Sequence, residues 1–222
     1  MKAYLIESGS GKLSDFVSVH TGVRAKIGQK NIVSKVKVGE TWHKGLISGS
    51  EINKYVINYD GNFLNIDSKI LWSGGWDPEI VLNDKLLLRQ TGDSLIAAYD
   101  NNKYYHLNNL HSIAPKDGKP ETLKLVLALL NSKLFDFYYR LISLETGRTM
   151  AQTDIETIEL LPIKIPQTGL NDELIGLVDE ILASNGDMEI TRRLQMGLDW
   201  LIYKLYGLTP EEIEMVEKRG KR

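Results

Sequence analysis

Residues 121–144 carry Leu123, Val126, Leu127, Leu130, Leu134, Phe137, Tyr138 and Leu141 at i, i+3, i+4, i+7 spacing, the pattern of one broad apolar helix face. A face this wide must pack on another layer, and the chain before it supplies strands. Short alternating or β-branched runs follow one another through residues 12–113, among them Phe16-Val17-Ser18-Val19, Val36-Lys37-Val38, Tyr55-Val56-Ile57, Ile70-Leu71-Trp72, Ile80-Val81-Leu82 and Lys85-Leu86-Leu87-Leu88-Arg89. Clusters such as Tyr59-Asp60-Gly61-Asn62 and Asp100-Asn101-Asn102 accept turn geometry and separate them. The fold class expected is α+β: an irregular, curled β-rich domain, then a long helix over about 121–144, then a small C-terminal helical segment.

Pro115 and Pro120 mark the join from sheet to helix. Beyond the helix lies a polar loop, Ser143-Leu144-Glu145-Thr146-Gly147-Arg148-Thr149-Met150-Ala151-Gln152-Thr153-Asp154, closed by Leu160-Leu161-Pro162-Ile163-Lys164-Ile165-Pro166. Asn171 or Asp172 can cap a helix running to Ala183, which Asn185-Gly186 stops, and another helix is expected over residues 188–206, ended by Gly207. Thr209-Pro210-Glu211-Glu212 is a capping box that starts a short last helix, and residues 218–222 are expected to fray. The division expected is a β-rich domain over 1–166, including the long helix, and a helical segment over 171–222.

Several chemistries find no support. The chain has no cysteine, which removes thiolate metal sites and disulfides. Its first residues lack the apolar run of a signal peptide, and no apolar stretch approaches the roughly 20 residues that span a bilayer, so a soluble cytoplasmic protein with no membrane partner is expected. Gly9-Ser10-Gly11-Lys12 is not a phosphate loop, because Ile6 stands where glycine is needed and Leu13 where a magnesium-binding hydroxyl is; a flexible lead-in is expected. His20, His43, His106 and His111 show no metal-ligand spacing and read as surface or sheet residues. Gly45-Leu46-Ile47-Ser48-Gly49 has the wrong spacing for a nucleophile elbow, and Asp77-Pro78-Glu79 reads as a turn. No catalytic residue, metal or cofactor is therefore assigned, and the chain is not expected to be an enzyme on its own.

Charge is the informative polar feature. Residues 22–44 hold six cations (Arg24, Lys26, Lys30, Lys35, Lys37, Lys44) against Glu40, a net +5, whereas residues 171–217 hold three cations against eleven acids, a net −8. Gly22-Val23-Arg24-Ala25-Lys26-Ile27-Gly28-Gln29-Lys30-Asn31 concentrates cations and amides in a glycine-bounded loop. Arginine and lysine can address guanine, asparagine and glutamine adenine, and further cations phosphate. A solvated hairpin is the competing reading. Residues 49–55 form a second, weaker polar connection.

The order of segments resembles the TaqI-like C-terminal specificity domain of bacterial N6-adenine DNA methyltransferases and type IIG restriction–modification enzymes, related to the recognition domains of type I specificity subunits. The residues that carry it are Leu46-Ile47-Ser48-Gly49-Ser50-Glu51-Ile52-Asn53-Lys54-Tyr55, Lys85-Leu86-Leu87-Leu88-Arg89-Gln90, Tyr104-Tyr105-His106-Leu107-Asn108-Asn109-Leu110, Leu129-Leu130-Asn131-Ser132-Lys133-Leu134, Leu161-Pro162-Ile163-Lys164-Ile165-Pro166 and Leu205-Tyr206-Gly207-Leu208-Thr209-Pro210. The likeness runs from about residue 12 to 217. It implies a target recognition domain that grips double-stranded DNA and works with a methyltransferase or endonuclease catalytic domain or subunit. S-adenosylmethionine, and magnesium as a second candidate, would then belong to that catalytic partner. By the same resemblance Arg24 and Lys26 fall in one variable recognition loop, Ser50 and Lys54 in a second, and Arg148 with Gln152 in a third; Gln29, Lys30 and Lys44 complete the candidate DNA contacts from the basic segment. The Asn/Asp-Pro-Pro-Tyr/Phe motif that holds an adenine in such methyltransferases is missing from the chain. The alternative kept beside this one is a protein-interaction module that docks through its acidic helical tail.

Overall fold

The computed structural model describes residues 11–219 except Gly75, Asp93 and residues 143–152. In chain order the elements are β1 (Gly11–Lys12), α1 (Leu13–Phe16), β2 (Val17–Thr21), β3 (Val33–Ser34), β4 (Trp42–Leu46), β5 (Ile52–Asn53), β6 (Val56–Ile57), β7 (Phe63–Asn65), α2 (Pro78–Val81), β8 (Lys85–Arg89), β9 (Ala97–Asp100), β10 (Tyr105–His106) and β11 (Leu110–Pro115). The helical half follows as α3 (Pro120–Asn131), α4 (Lys133–Ile142), α5 (Ile155–Glu159), then strand β12 (Pro162–Ile163), α6 (Thr168–Ala183), α7 (Met188–Tyr206) and α8 (Pro210–Arg219). The α+β expectation holds.

The central sheet is antiparallel, in the order β2-β11-β8-β9. Leu86 and Leu88 of β8 join Val17, Val19, Ala97 and Ile113 in the core beneath α3, whereas Leu87 joins Ala98, Leu110, Leu46, Ile52 and Tyr104 in a smaller core on the opposite face. A strand covered on both sides needs apolar residues at every position, which is why Leu86-Leu87-Leu88 is continuous rather than alternating. Lys85 ends that run inside the protein. Its fully buried ammonium pairs with the equally buried Asp100, its register partner on β9, and donates to Val81 O at 3.1 Å. Burial draws the Lys85 pKa below its ordinary value, with Asp100 opposing the shift.

A second sheet, ordered β10-β4-β7-β3 with β10 parallel to β4, curls around a separate core of Val23, Ile32, Leu64, Leu71, Val81, Tyr105 and Leu107. The isolated pairings Val23↔Leu107 and Ala25↔Leu71 extend it.

The helical run departs from the single helix expected. It breaks at Ser132, whose backbone is extended at φ −74 and ψ 154. The Ser132 hydroxyl donates to Leu129 O at 2.7 Å and accepts from Phe135 N at 3.2 Å, so one serine closes α3 and opens α4. Splitting the run also lets α3 be buried on almost every side, between the β11-β8-β9 part of the sheet and α6, while α4 turns toward α7 and α8.

Other boundaries shift for local reasons. Ile80-Val81 lies in α2 rather than a strand, because Asp77 caps Glu79 N at 2.9 Å and Pro78 takes the first helical position. The segment holding Val36 and Val38 forms no strand and leaves both side chains exposed. α6 starts three residues before the expected cap: Asn171 N already donates to Gln167 O at 2.9 Å, placing Asn171 and Asp172 inside the helix. Lys218 remains helical and bridges Glu214 instead of fraying.

Gly11–Lys12 is likewise no loose lead-in. It pairs with Pro162–Ile163, and Leu13 N donates to Leu161 O at 2.8 Å. From the other side Tyr206 OH donates to Pro162 O at 2.8 Å and accepts from Lys164 N at 3.0 Å. The proline-limited segment is thus held between β1 and α7.

Candidate nucleic-acid interface

The loop after β2 is tightly built. A Cβ on Gly22 would overlap the carbonyls of His106 and Leu107, so only glycine lets the chain run this close to β10, where Val23 N donates to His106 O at 2.9 Å. Gly28 turns the loop at φ 91. Gln29 then folds back inside it: its carboxamide accepts from Ala25 N at 3.0 Å and donates to Val23 O at 3.2 Å and Asn108 Oδ1 at 2.7 Å. The structure therefore places Gln29 as the loop's internal brace, and leaves Arg24, Lys26 and Lys30 exposed on its outside. Lys26 Nζ reaches Lys69 O at 3.3 Å and lies 6.0 Å from the centre of the Trp72 ring.

The second loop is organised by a buried acid. Glu51 accepts from Ile47 N at 2.7 Å, Ser48 N at 2.9 Å and Asp60 N at 3.3 Å, while Ser48 caps the turn by accepting from Ser50 N at 3.1 Å. Ser50 is exposed at the tip. Lys44, on the neighbouring strand, is exposed and lies 5.9 Å from the Tyr59 ring centre. Lys54 faces the protein: Nζ donates to Asn131 O at 2.7 Å and to Asp136 Oδ2 at 3.0 Å, tying the β5–β6 turn to the α3–α4 break. Burial keeps the Asp136 carboxyl above the usual carboxylate range despite the Lys54 charge beside it.

Arg148 and Gln152 lie outside the described residues, but the exit of their loop is anchored. Thr153 N donates to Gln90 O at 2.6 Å, and Thr153 O meets Nε2 of the buried His111 at 2.8 Å. Burial lowers the His111 pKa and pushes that of the fully buried His106 down to about 3, so both imidazoles are neutral at pH 7.

These anchors share one short segment. Asn108 holds the first loop through Gln29, Asn109 Nδ2 holds the second by donating to Ile47 O at 2.6 Å, and Asn109 O accepts from Gln90 N at 3.1 Å, next to the Thr153 anchor of the third. The first two candidate loops are therefore held at the turn between β10 and β11, and Gln90 links that turn to Thr153. Composition pointed to the cations, not to Asn108, Asn109 or Trp72. The signal for the asparagines was the adjacent pair itself in Tyr105-His106-Leu107-Asn108-Asn109-Leu110, two amides at a strand-to-strand turn.

Among the described residues no group of three or more His, Asp or Glu side chains gathers as a metal site requires, and no helix is long and apolar enough to cross a membrane.

Residues 44–163 match the family described as TaqI-like C-terminal specificity domain, a span that begins after the Gly22–Asn31 loop. Among solved structures the chain is similar to the type IIL restriction-modification enzyme MmeI in complex with DNA, with TM-score 0.57 and 13% identity over 90% of this chain and 34% of that one. It is also similar to the type IIG restriction endonuclease BpuSI, with TM-score 0.52 and 12% identity over 93% of this chain and 33% of that one. The HsdS subunit from Thermoanaerobacter tengcongensis matches with TM-score 0.42 and 12% identity over 92% of this chain and 49% of that one. The chain thus spans about a third of the length of MmeI and BpuSI, with which it shares a fold. No curated protein sequence matches it.

Proposed function

The chain belongs to the family of TaqI-like C-terminal specificity domains, and on that premise we propose that it is the double-stranded DNA recognition module of a restriction–modification system, directing an N6-adenine methyltransferase, alone or joined to an endonuclease, to its target. The observation that carries this reading is the anchoring of two polar loops on Asn108 and Asn109, with Thr153 tied to Gln90 beside them and Arg24, Lys26 and Lys30 exposed. Anchored loops with exposed cations suit sequence readout on a negatively charged backbone. The fold shared with MmeI, whose structure is a complex with DNA, supports it.

In this division of labour Arg24 reads a base, Lys26, Lys30 and Lys44 hold phosphates, and Ser50, Arg148 and Gln152 contact DNA from the other two loops. Gln29 and Lys54 act one step back, as supports of the loops that carry those contacts. The adenine is flipped and methylated by the catalytic partner, which supplies the S-adenosylmethionine site. Enrichment of a randomised duplex pool on the protein tests the reading: a defined consensus is expected, and recovery of unbiased sequence contradicts it.

A second reading, docking of a protein partner through the helical tail, is favoured by one observation. Met188, Met196 and Trp200 stand 86%, 53% and 65% exposed on α7, at eight- and four-residue spacing along one side of the helix. Binding to a partner protein without retardation of random duplex DNA at low salt would favour that reading over the first.

A further inference from the structure

Trp72 is 56% exposed, yet its backbone is fixed. Trp72 N donates to Arg24 O at 2.9 Å, its neighbour Leu71 pairs with Ala25, Lys26 N donates to Ile70 O at 2.8 Å, and Trp76 Nε1 donates to Trp72 O at 3.3 Å. In this narrow antiparallel ladder Leu71 turns into the second core, so the opposed pair Arg24 and Trp72 turns outward. The indole therefore stands between the Arg24 side of the ladder and the Lys26 ammonium, on a rigid lip of the first loop. Ile27, 48% exposed, adds apolar surface to the same loop.

Cations suffice for phosphates, and they leave unexplained an indole that is 56% exposed beside them. On the major-groove edges of base pairs the one apolar group is the thymine C5-methyl. We propose that Trp72 is a specificity-determining residue that packs on a thymine methyl next to the base addressed by Arg24. This rests on the DNA-recognition reading and adds to it a contact made by surface complementarity rather than by hydrogen bonds.

The test uses two randomised duplex pools, one containing thymine and a matched one containing deoxyuridine, which lacks only the methyl. The wild-type protein is expected to enrich thymine at one position of its consensus in the first pool and to lose that preference in the second, with uracil at that position weakening binding about fourfold, the effect of one buried methyl group. Trp72→Ala is expected to enrich the same site without preference there, and Trp72→Phe to restore it. Identical wild-type consensus from both pools overturns the inference. So does equal weakening of all sequences by Trp72→Ala, which would place the indole on deoxyribose. Failure of the wild type to enrich any sequence overturns the DNA-recognition reading and this inference with it.

Discussion

Lys54 and Asp136, 82 residues apart in sequence, meet at 3.0 Å, and through them the β5–β6 turn is fastened to the break between α3 and α4. Asp136 also accepts from Leu95 N at 2.8 Å. Lys54→Ala removes one of the two cations, Lys54 and Arg140, that act on a largely buried carboxylate, and frees the Asn131 carbonyl. A loss of about 2 kcal/mol is expected in denaturant unfolding, with Lys54→Ala and Asp136→Ala together costing less than the sum of the two.

The same side of the molecule carries a polar chain across the helical tail. Tyr55 OH donates to Gln195 Oε1 at 2.5 Å, and Gln195 Nε2 donates to Asp199 Oδ1 at 3.1 Å, which also accepts from Lys133 N at 3.0 Å. The second Asp199 oxygen is buried without a partner, and burial raises the Asp199 pKa. A raised folded-state pKa means the native protein gains most from this residue when it is protonated, below about pH 4, and loses that contribution as pH climbs through the raised value. Asp199→Asn is therefore expected to gain stability relative to wild type between pH 3 and pH 7. A constant difference across that range would show that burial does not raise the pKa of this carboxyl.

His106 gives the opposite slope. Its folded-state pKa lies near 3, below the ordinary 6.5, so its stabilising contribution is complete above pH 6.5 and is lost as pH falls toward 3. Each such histidine contributes a slope of about 1.4 kcal/mol per pH unit within the window. Unfolding free energies measured from pH 7 to pH 4 should fall less steeply in His106→Gln than in wild type.

Asn108 and Asn109 hold different loops, so their removal should be separable. Asn108→Ala releases Gln29 and Asn109→Ala releases Ile47, each at a cost of about 1 kcal/mol in stability. In duplex selections the two variants are expected to blur different positions of the consensus. Blurring of the same positions by both would mean that the loops read DNA as one unit.

Much of the helical half is legible from local chemistry. Gly207 ends α7 in the left-handed region at φ 67, and Thr209 and Glu212 cap each other reciprocally at 3.0 and 3.3 Å, because both signals act within a few residues. Ser132 shows where apolar periodicity misleads. Leu123 through Leu141 keep helical spacing, but a single hydroxyl redirects the chain between them. The Asp77-Pro78 cap overrides the β-branched Ile80 and Val81 in the same way. The candidate site is legible as a charge pattern and not as an arrangement. Gln29 meets Asn108 across 79 residues, and Lys54 meets Asn131 across 77, so whether either side chain faces DNA or the protein is decided by partners that no local spacing identifies.

The most direct measurement is the salt dependence of duplex binding. Between 50 and 200 mM salt, log affinity should fall linearly with log salt, with a slope of magnitude up to about 5 if the whole net +5 of residues 22–44 engages phosphates. Lys30→Ala should reduce that magnitude by about 1 for every sequence alike, whereas Arg24→Ala should relax preference at one base. A flat salt response, or Arg24→Ala leaving the bound sequence unchanged, contradicts the placing of DNA on this lip.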